Sequence, residues 1–259
     1  MELSETLRRE AQIHDELAYD MRAEDMPPEA LDDLEQALLD DLGDLTGRDV
    51  LELGCGSGSL TLHLLRRGAN VTALDISPGM VELAAQRAKH FAPGAQASFL
   101  AAPVEQTGLP SRTFDVVCGK WILHHCDVAA STAEIERVLR PTGTAIFIEN
   151  SAMNPVLSFS RNHLAGRMGI PRLGTEDEHP LTRADLEAIG AHVGDLKVTF
   201  PDFMFLRLFD RQVLRFKVGW ASRVLRAIDD LIFHRVPALR RYSFHLILRY
   251  SPKATAREG

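Results

Sequence analysis

The chain has 259 residues, 45 % apolar and 25 % charged, with a formal net charge of −7. That is the profile of a soluble globular protein, long enough for one full core, and the acidic balance argues against nucleic acid as a partner. No uncharged apolar run reaches the roughly 18 residues of a membrane span, MELSETLRRE lacks a secretory apolar stretch, and three cysteines (Cys55, Cys118, Cys126) make no disulfide framework, so the expected compartment is the cytoplasm.

Residues 1–45 hold 15 acids against three arginines, with Leu31, Leu34, Leu38 and Leu42 at helical spacing, and read as a helical N-terminal cap. Gly43 and Gly47 bracket a turn into DVLELG, a strand. Ser57–Arg67 reads as a helix closed by Gly68, NVTALD as the second strand, and SPGMVELAAQRAKH as a helix with Ser77 at its N-cap and Pro78 at its first position. QASFLA and FDVVCG are the third and fourth strands. DVAASTAEIERVLR is a helix expected to stop before Pro141, and TAIFIE is the fifth strand. Such alternation predicts an α/β fold, a largely parallel sheet with helices on both faces. Residues 150–181 read as a loop or short-helix insertion, LTRADLEAIG as a helix capped by Thr182, LKVTF as a strand, 203–241 as mostly helical, and YSFHLILRY as the last strand.

The stretch VLELGCGSG puts Gly54, Gly56 and Gly58 between a strand and a helix, where bare backbone N–H groups and the positive end of a helix face a ligand. The spacing is not the GxGxxG of a dinucleotide site, and Glu52 precedes it. A carboxylate there opposes a pyrophosphate and favours a cation. Asp75 closes the second strand, 21 residues after Gly54, where an acceptor holds ribose hydroxyls. A nucleoside without phosphates and with a cationic tail, S-adenosylmethionine, is the cofactor these residues describe.

With VLELGCGSG, VTALDIS, FDVVCGKWILHHCD and VLRPTGTAIFIE in order over residues 48–150, the sequence resembles the class I S-adenosylmethionine-dependent methyltransferases. The resemblance implies a Rossmann-like, mostly parallel seven-stranded sheet whose last strand is antiparallel, with 46–259 as the methyltransferase domain and 150–181 and 203–241 as insertions forming a lid. It also implies cofactor contacts from Glu52, Gly54, Gly56, Gly58, Asp75, Ile76, Val104, Glu105 and Gly119. One departure stands out. Where the family often has Asp-Ala-Glu after the third strand, this chain has Pro103, Val104 and Glu105, and proline has no side-chain acceptor for an adenine amino group.

Methyl transfer needs alignment, desolvation and, for a hydroxyl acceptor, a base. Candidates are Glu149, at the end of the fifth strand, His125 of the His124–His125 pair, and His179, beside Glu178. Capping, packing and turn formation are the respective alternatives. Consecutive residues do not converge on a metal, so no metal is expected at His124–Cys126. Lys120 either reaches an anionic acceptor or stays solvated. The segment 199–236 holds six of twelve phenylalanines, and Phe203, Phe205, Phe209, Phe216 and Trp220 suggest an apolar lid. Its interleaved arginines allow either packing against the acidic N-terminal helices or contact with an anionic membrane surface. The expected partner is a hydrophobic small molecule such as a polyketide, quinone, terpenoid or lipid, with oxygen favoured over carbon as the methylated atom. A non-catalytic cofactor-binding or membrane-associated scaffold protein is the alternative; the oligomeric state is open.

Overall fold

The structure, a computed structural model, describes residues 5–19, 21–163, 179–210 and 217–253. The N-terminal segment forms α1 (Glu5–Tyr19) and α2 (Asp33–Leu42). Alternating elements follow: β1 (Asp49–Leu53), α3 (Ser59–Arg66), β2 (Asn70–Asp75), α4 (Pro78–Phe91), β3 (Ala97–Ala101), β4 (Phe114–Lys120), α5 (Val128–Val138) and β5 (Leu139–Asn150). The remainder holds α6 (Pro155–His163), α7 (Arg183–His192), β6 (Lys197–Thr199), the single turn α8 (Leu206–Phe209), α9 (Gly219–Arg235) and β7 (His245–Tyr250).

The strands form one seven-stranded sheet in the order β3-β2-β1-β4-β5-β7-β6. The first five run parallel, and β7 enters antiparallel between β5 and β6. The order reverses direction beside β1, and that reversal opens a crevice at the carboxyl ends of β1 and β4. Central strands are buried on both sides, as helices on both faces require. Val50, Val71, Val116 and Ile146 face α2, α3 and α4 through Leu38, Leu39, Leu62 and Ala84. Leu51, Leu53, Val117 and Phe147 face the other way, with Ile135, Ile189 and Tyr250.

Local chemistry sets the helix starts. Ser77 Oγ accepts from Met80 N, and Pro78 supplies the fixed φ of a first turn. Asp32 with Glu35, and Thr182 with Asp185, form reciprocal capping boxes. One boundary differs from expectation. The fifth helix ends at Val138, and the strand begins at Leu139, through Pro141, instead of at Thr144. Proline drives the residue before it toward extended backbone, and Arg140 is held there by Asp49 and Asp115, at 2.8 and 2.5 Å.

The acidic N-terminal segment packs its leucines into the main core. Leu34, Leu38, Leu39, Leu42 and Leu45 belong to the main core. Arg87 of α4, fully buried, donates to Met26 O at 3.1 Å, Ser57 O at 2.8 Å and Glu29 Oε2 at 2.9 Å, tying that segment to the glycine turn. Arg249 pairs with Asp41 at 2.8 Å, the one described tail-to-head ion pair. Within the aromatic segment Phe203 is buried and Phe205 half-buried, whereas Trp220 is 67 % exposed, so the packing expected there covers only part of it. Phe216 and the side chain of Phe209 lie outside the described residues, as does Glu178.

Candidate functional site

A cavity of about 210 Å³ lies over the carboxyl ends of β1, β2 and β4. Its floor is the glycine turn. Gly54, Gly56 and Gly58 have φ of +68°, +49° and +83°, the left-handed region that favours glycine. A Cβ on Gly54 would lie 2.8 Å from Ile122 Cδ1, and one on Gly58 3.0 Å from Ala84 Cβ, so these two positions need glycine for packing. A Cβ on Gly56 would meet nothing within 4 Å; there the backbone is bare toward the cavity. The Gly56 N–H donates to Asp75 Oδ2 at 2.8 Å and the Ser77 N–H to Oδ1 at 3.0 Å, which fixes the carboxylate at the mouth of the turn. Each oxygen keeps a lone pair for a further donor.

Six of the nine expected cofactor residues line this cavity: Gly54, Gly56, Asp75, Ile76, Val104 and Glu105. The other three stand behind it. Gly58 carries the close approach to Ala84, and a Cβ on Gly119 would sit 2.7 Å from Leu53 O, inside the sheet. Glu52 is 2 % exposed, beneath the turn, and its Oε2 accepts from the Thr61 hydroxyl at 2.5 Å. Burial pushes its carboxyl up to about 8, opposed by the Thr61 hydrogen bond and by Lys120. The expected carboxylate at this position is therefore held mostly as the neutral acid at neutral pH, because desolvation outweighs the nearby cation.

Glu105 offers a different acceptor. Its Oε1 takes the Asp127 N–H at 3.0 Å, while the buried Oε2 has no hydrogen-bond partner among the described residues. Together with the bare Gly56 backbone and the Asp75 carboxylate, this leaves the cavity with acceptors at two points and an apolar wall from Ile76 and Val104, which fits an adenosine.

The catalytic candidates separate. Glu149 is fully buried and does not line the cavity; its Oε1 accepts from Ile122 N at 2.9 Å and Leu123 N at 2.7 Å, and its Oε2 lies 2.7 Å from His124 Nδ1. It clamps the loop after β4. His125, next along that loop, lines the cavity, and its Nδ1 lies 3.3 Å from Glu10 Oε2 on α1. His179 is exposed, with its N–H 3.5 Å from His124 O, and is not part of the cavity wall. Lys120 lines the cavity but is paired with the buried Glu35 of α2 and lies 4.7 Å over the Trp121 ring, so it is neither free nor fully solvated.

Sequence reading expected helices over residues 1–45 but placed none of their side chains at the cavity. Leu7, Glu10 and His14 line the cavity, and the described parts of 150–181 and 203–241 do not. The signal was present in their i, i+3, i+7 spacing, which puts all three on one helical face. The two insertions instead meet at a second cavity of about 210 Å³, lined by Asn154, Pro155, Val156, Phe203, Phe205 and Tyr242.

Residues 51–147 match the family model described as "Methyltransferase domain". Residues 51–147 carry that methyltransferase domain. Over 103 residues it is 37 % identical to a malonyl-[acyl-carrier protein] O-methyltransferase of Serratia marcescens, covering 39 % of this chain and 38 % of that one. Over 140 residues it is 31 % identical to a ubiquinone biosynthesis O-methyltransferase of Pseudomonas aeruginosa, covering 53 % and 59 %. The matches thus span about two to three fifths of these relatives' length. Among solved structures, geranyl diphosphate C-methyltransferase from Streptomyces coelicolor aligns at a TM-score of 0.63 and 14 % identity over 98 % of this chain and 100 % of that one. A [4+2]-cyclase aligns at 0.63 and 18 % over 97 % and 98 %. Both show the shared fold. No helix among the described residues is long and apolar enough to cross a membrane.

Proposed function

We propose that this protein transfers a methyl group from S-adenosylmethionine to an oxygen of a hydrophobic small molecule, with His125 as the base. The observation that carries the reading is the placement of His125 and Glu10 on the wall of the cavity that Gly56 and Asp75 floor. When bound, S-adenosylmethionine supplies an electrophilic methyl carbon. The protein's share is alignment and proton removal. Asp75 and Glu105 hold the nucleoside by its hydroxyl and amino donors, while α1 excludes water. The His125 ring would take the acceptor's hydroxyl proton, leaving the oxygen to receive the methyl group that the cofactor's sulfur releases, and Glu10, at 3.3 Å from Nδ1, would steady the imidazolium by its charge. The matching O-methyltransferase relatives support oxygen as nucleophile; the cyclase neighbour shows that the fold alone fixes no reaction.

The test is transfer of label from methyl-labelled S-adenosylmethionine to a panel of hydrophobic phenols, hydroxyquinones and polyketide alcohols. His125→Asn is expected to lower kcat by roughly 10²–10⁴-fold. Glu10→Gln is expected to lower it less and to shift the acidic limb of the pH profile. Label recovered only in protein or RNA overturns the acceptor class, and full activity in His125→Asn overturns the base.

A further inference from the structure

The helix α9 leaves an apolar stripe uncovered. Trp220, Val224, Ile228 and Leu231 are 67, 48, 39 and 56 % exposed and follow one another at helical spacing, so they share one side of the helix. The opposite side is anchored: Asp229, fully buried, accepts from Leu206 N at 3.0 Å and Arg207 N at 2.9 Å. Val236 and Leu239, just past the helix end, are 41 and 36 % exposed as well. A chain of this size normally scatters its exposed apolar residues singly, and a continuous stripe marks a contact surface.

Charge identifies what it contacts. Residues 217–241 hold six Lys or Arg (Lys217, Arg223, Arg226, Arg235, Arg240, Arg241) against two Asp, one of them the buried Asp229. The chain as a whole carries −7, so this segment is a local reversal of sign. Lys217, Arg223, Arg226, Arg235 and Arg241 are exposed. A second copy docking by a twofold axis would bring these cations against their own images, which is repulsive. A membrane with anionic headgroups accepts the apolar stripe into its acyl boundary and neutralises the flanking cations at once. Trp220, near the helix start, has the ring chemistry favoured at that boundary. We propose that α9 seats the protein on the surface of an anionic bilayer, lying in the interface without crossing it.

The experiment uses the full chain and sucrose-loaded vesicles of phosphatidylcholine, alone or with one third phosphatidylglycerol, and needs no enzyme activity. The wild type is expected to sediment with the anionic vesicles only, and to be released by high salt. Val224→Glu with Leu231→Glu, and separately Arg223→Glu with Arg235→Glu, are expected to lower the partition coefficient by roughly tenfold or more. Both variants sit on exposed positions, and unchanged thermal stabilisation by S-adenosylhomocysteine shows that they remain folded. Equal binding of wild type and variants overturns the proposal, as does sedimentation with neither vesicle. A concentration-dependent dimer, seen by light scattering and abolished by Val224→Glu with Leu231→Glu, assigns the stripe to a second copy and also overturns it.

Discussion

Glu52 gives the sharpest test of the site's electrostatics. Its carboxyl is held at about 8 in the folded protein, against an ordinary 4.5, because burial penalises the anion more than the Thr61 hydroxyl and Lys120 favour it. An acid raised in the folded state contributes stability that is complete below the unfolded value and lost as pH rises through the folded one. Below pH 4.5 both states hold the proton. Between 4.5 and 8 the unfolded chain gives it up and the folded protein does not, so stability falls by about 1.4 kcal/mol for each pH unit, and above 8 the loss is complete at about 5 kcal/mol. Glu52→Gln keeps an acceptor for Thr61 and removes the titration. Urea unfolding of both proteins from pH 5.5 to 8.5 should show the variant gaining on the wild type by about 3 kcal/mol, the share of that loss falling inside the window. All other titrating groups, the histidines included, are common to both proteins and cancel in the difference. A difference that stays constant across the window refutes the reasoning: it would mean that water or a closer cation reaches Glu52 and that the bend is flanked by two carboxylates after all.

Asp75→Asn should weaken S-adenosylhomocysteine binding by roughly 1–3 kcal/mol in calorimetry, because it replaces one acceptor at the mouth of the turn with a donor. Gly58→Ala should destabilise the fold by about 1–3 kcal/mol in chemical unfolding, since it adds a side chain at φ +83° and 3.0 Å from Ala84 Cβ. Glu149→Gln should cost about 1–3 kcal/mol in the same assay, because an amide cannot accept from Ile122 N, Leu123 N and His124 together. Glu105→Gln should weaken S-adenosylhomocysteine binding while narrowing its advantage over the inosine analogue. With Gln accepting from Asp127 N, its amide donor faces the base, where it opposes an amino group and suits a carbonyl; an unchanged ratio of the two affinities refutes that placement.

The scaffold was legible because its signals are local. The Ser77–Pro78 helix start, the Thr182 cap and the glycine turn each rest on chemistry within four residues, and the structure has all three where the sequence put them. The parallel order through β1 and β4 followed from alternation, and Asp75 at the end of β2 followed from spacing. The boundary between α5 and β5 was misplaced because Arg140, held by Asp49 and Asp115, is fixed by partners far along the chain. Lys120 was read as reaching an anionic acceptor or staying solvated for the same reason, its partner Glu35 lying 85 residues away.

The exchange of roles between two glutamates shows what a linear reading lacks. Position in the fold favoured Glu149, since the carboxyl edge of a parallel sheet is where such proteins act. Burial decides otherwise. At zero exposure, with two N–H donors and the His124 ring already on its oxygens, Glu149 has no face left for an acceptor molecule, and what it holds is the loop after β4. That loop delivers His125 to the cavity wall, where the carboxylate that meets it comes from α1, more than a hundred residues earlier. One glutamate therefore fixes where the histidine stands and the other is placed to set its charge. Nothing in the local pattern around either residue separates the two, because both distinctions arise only when α1 closes over the ends of β1 and β4.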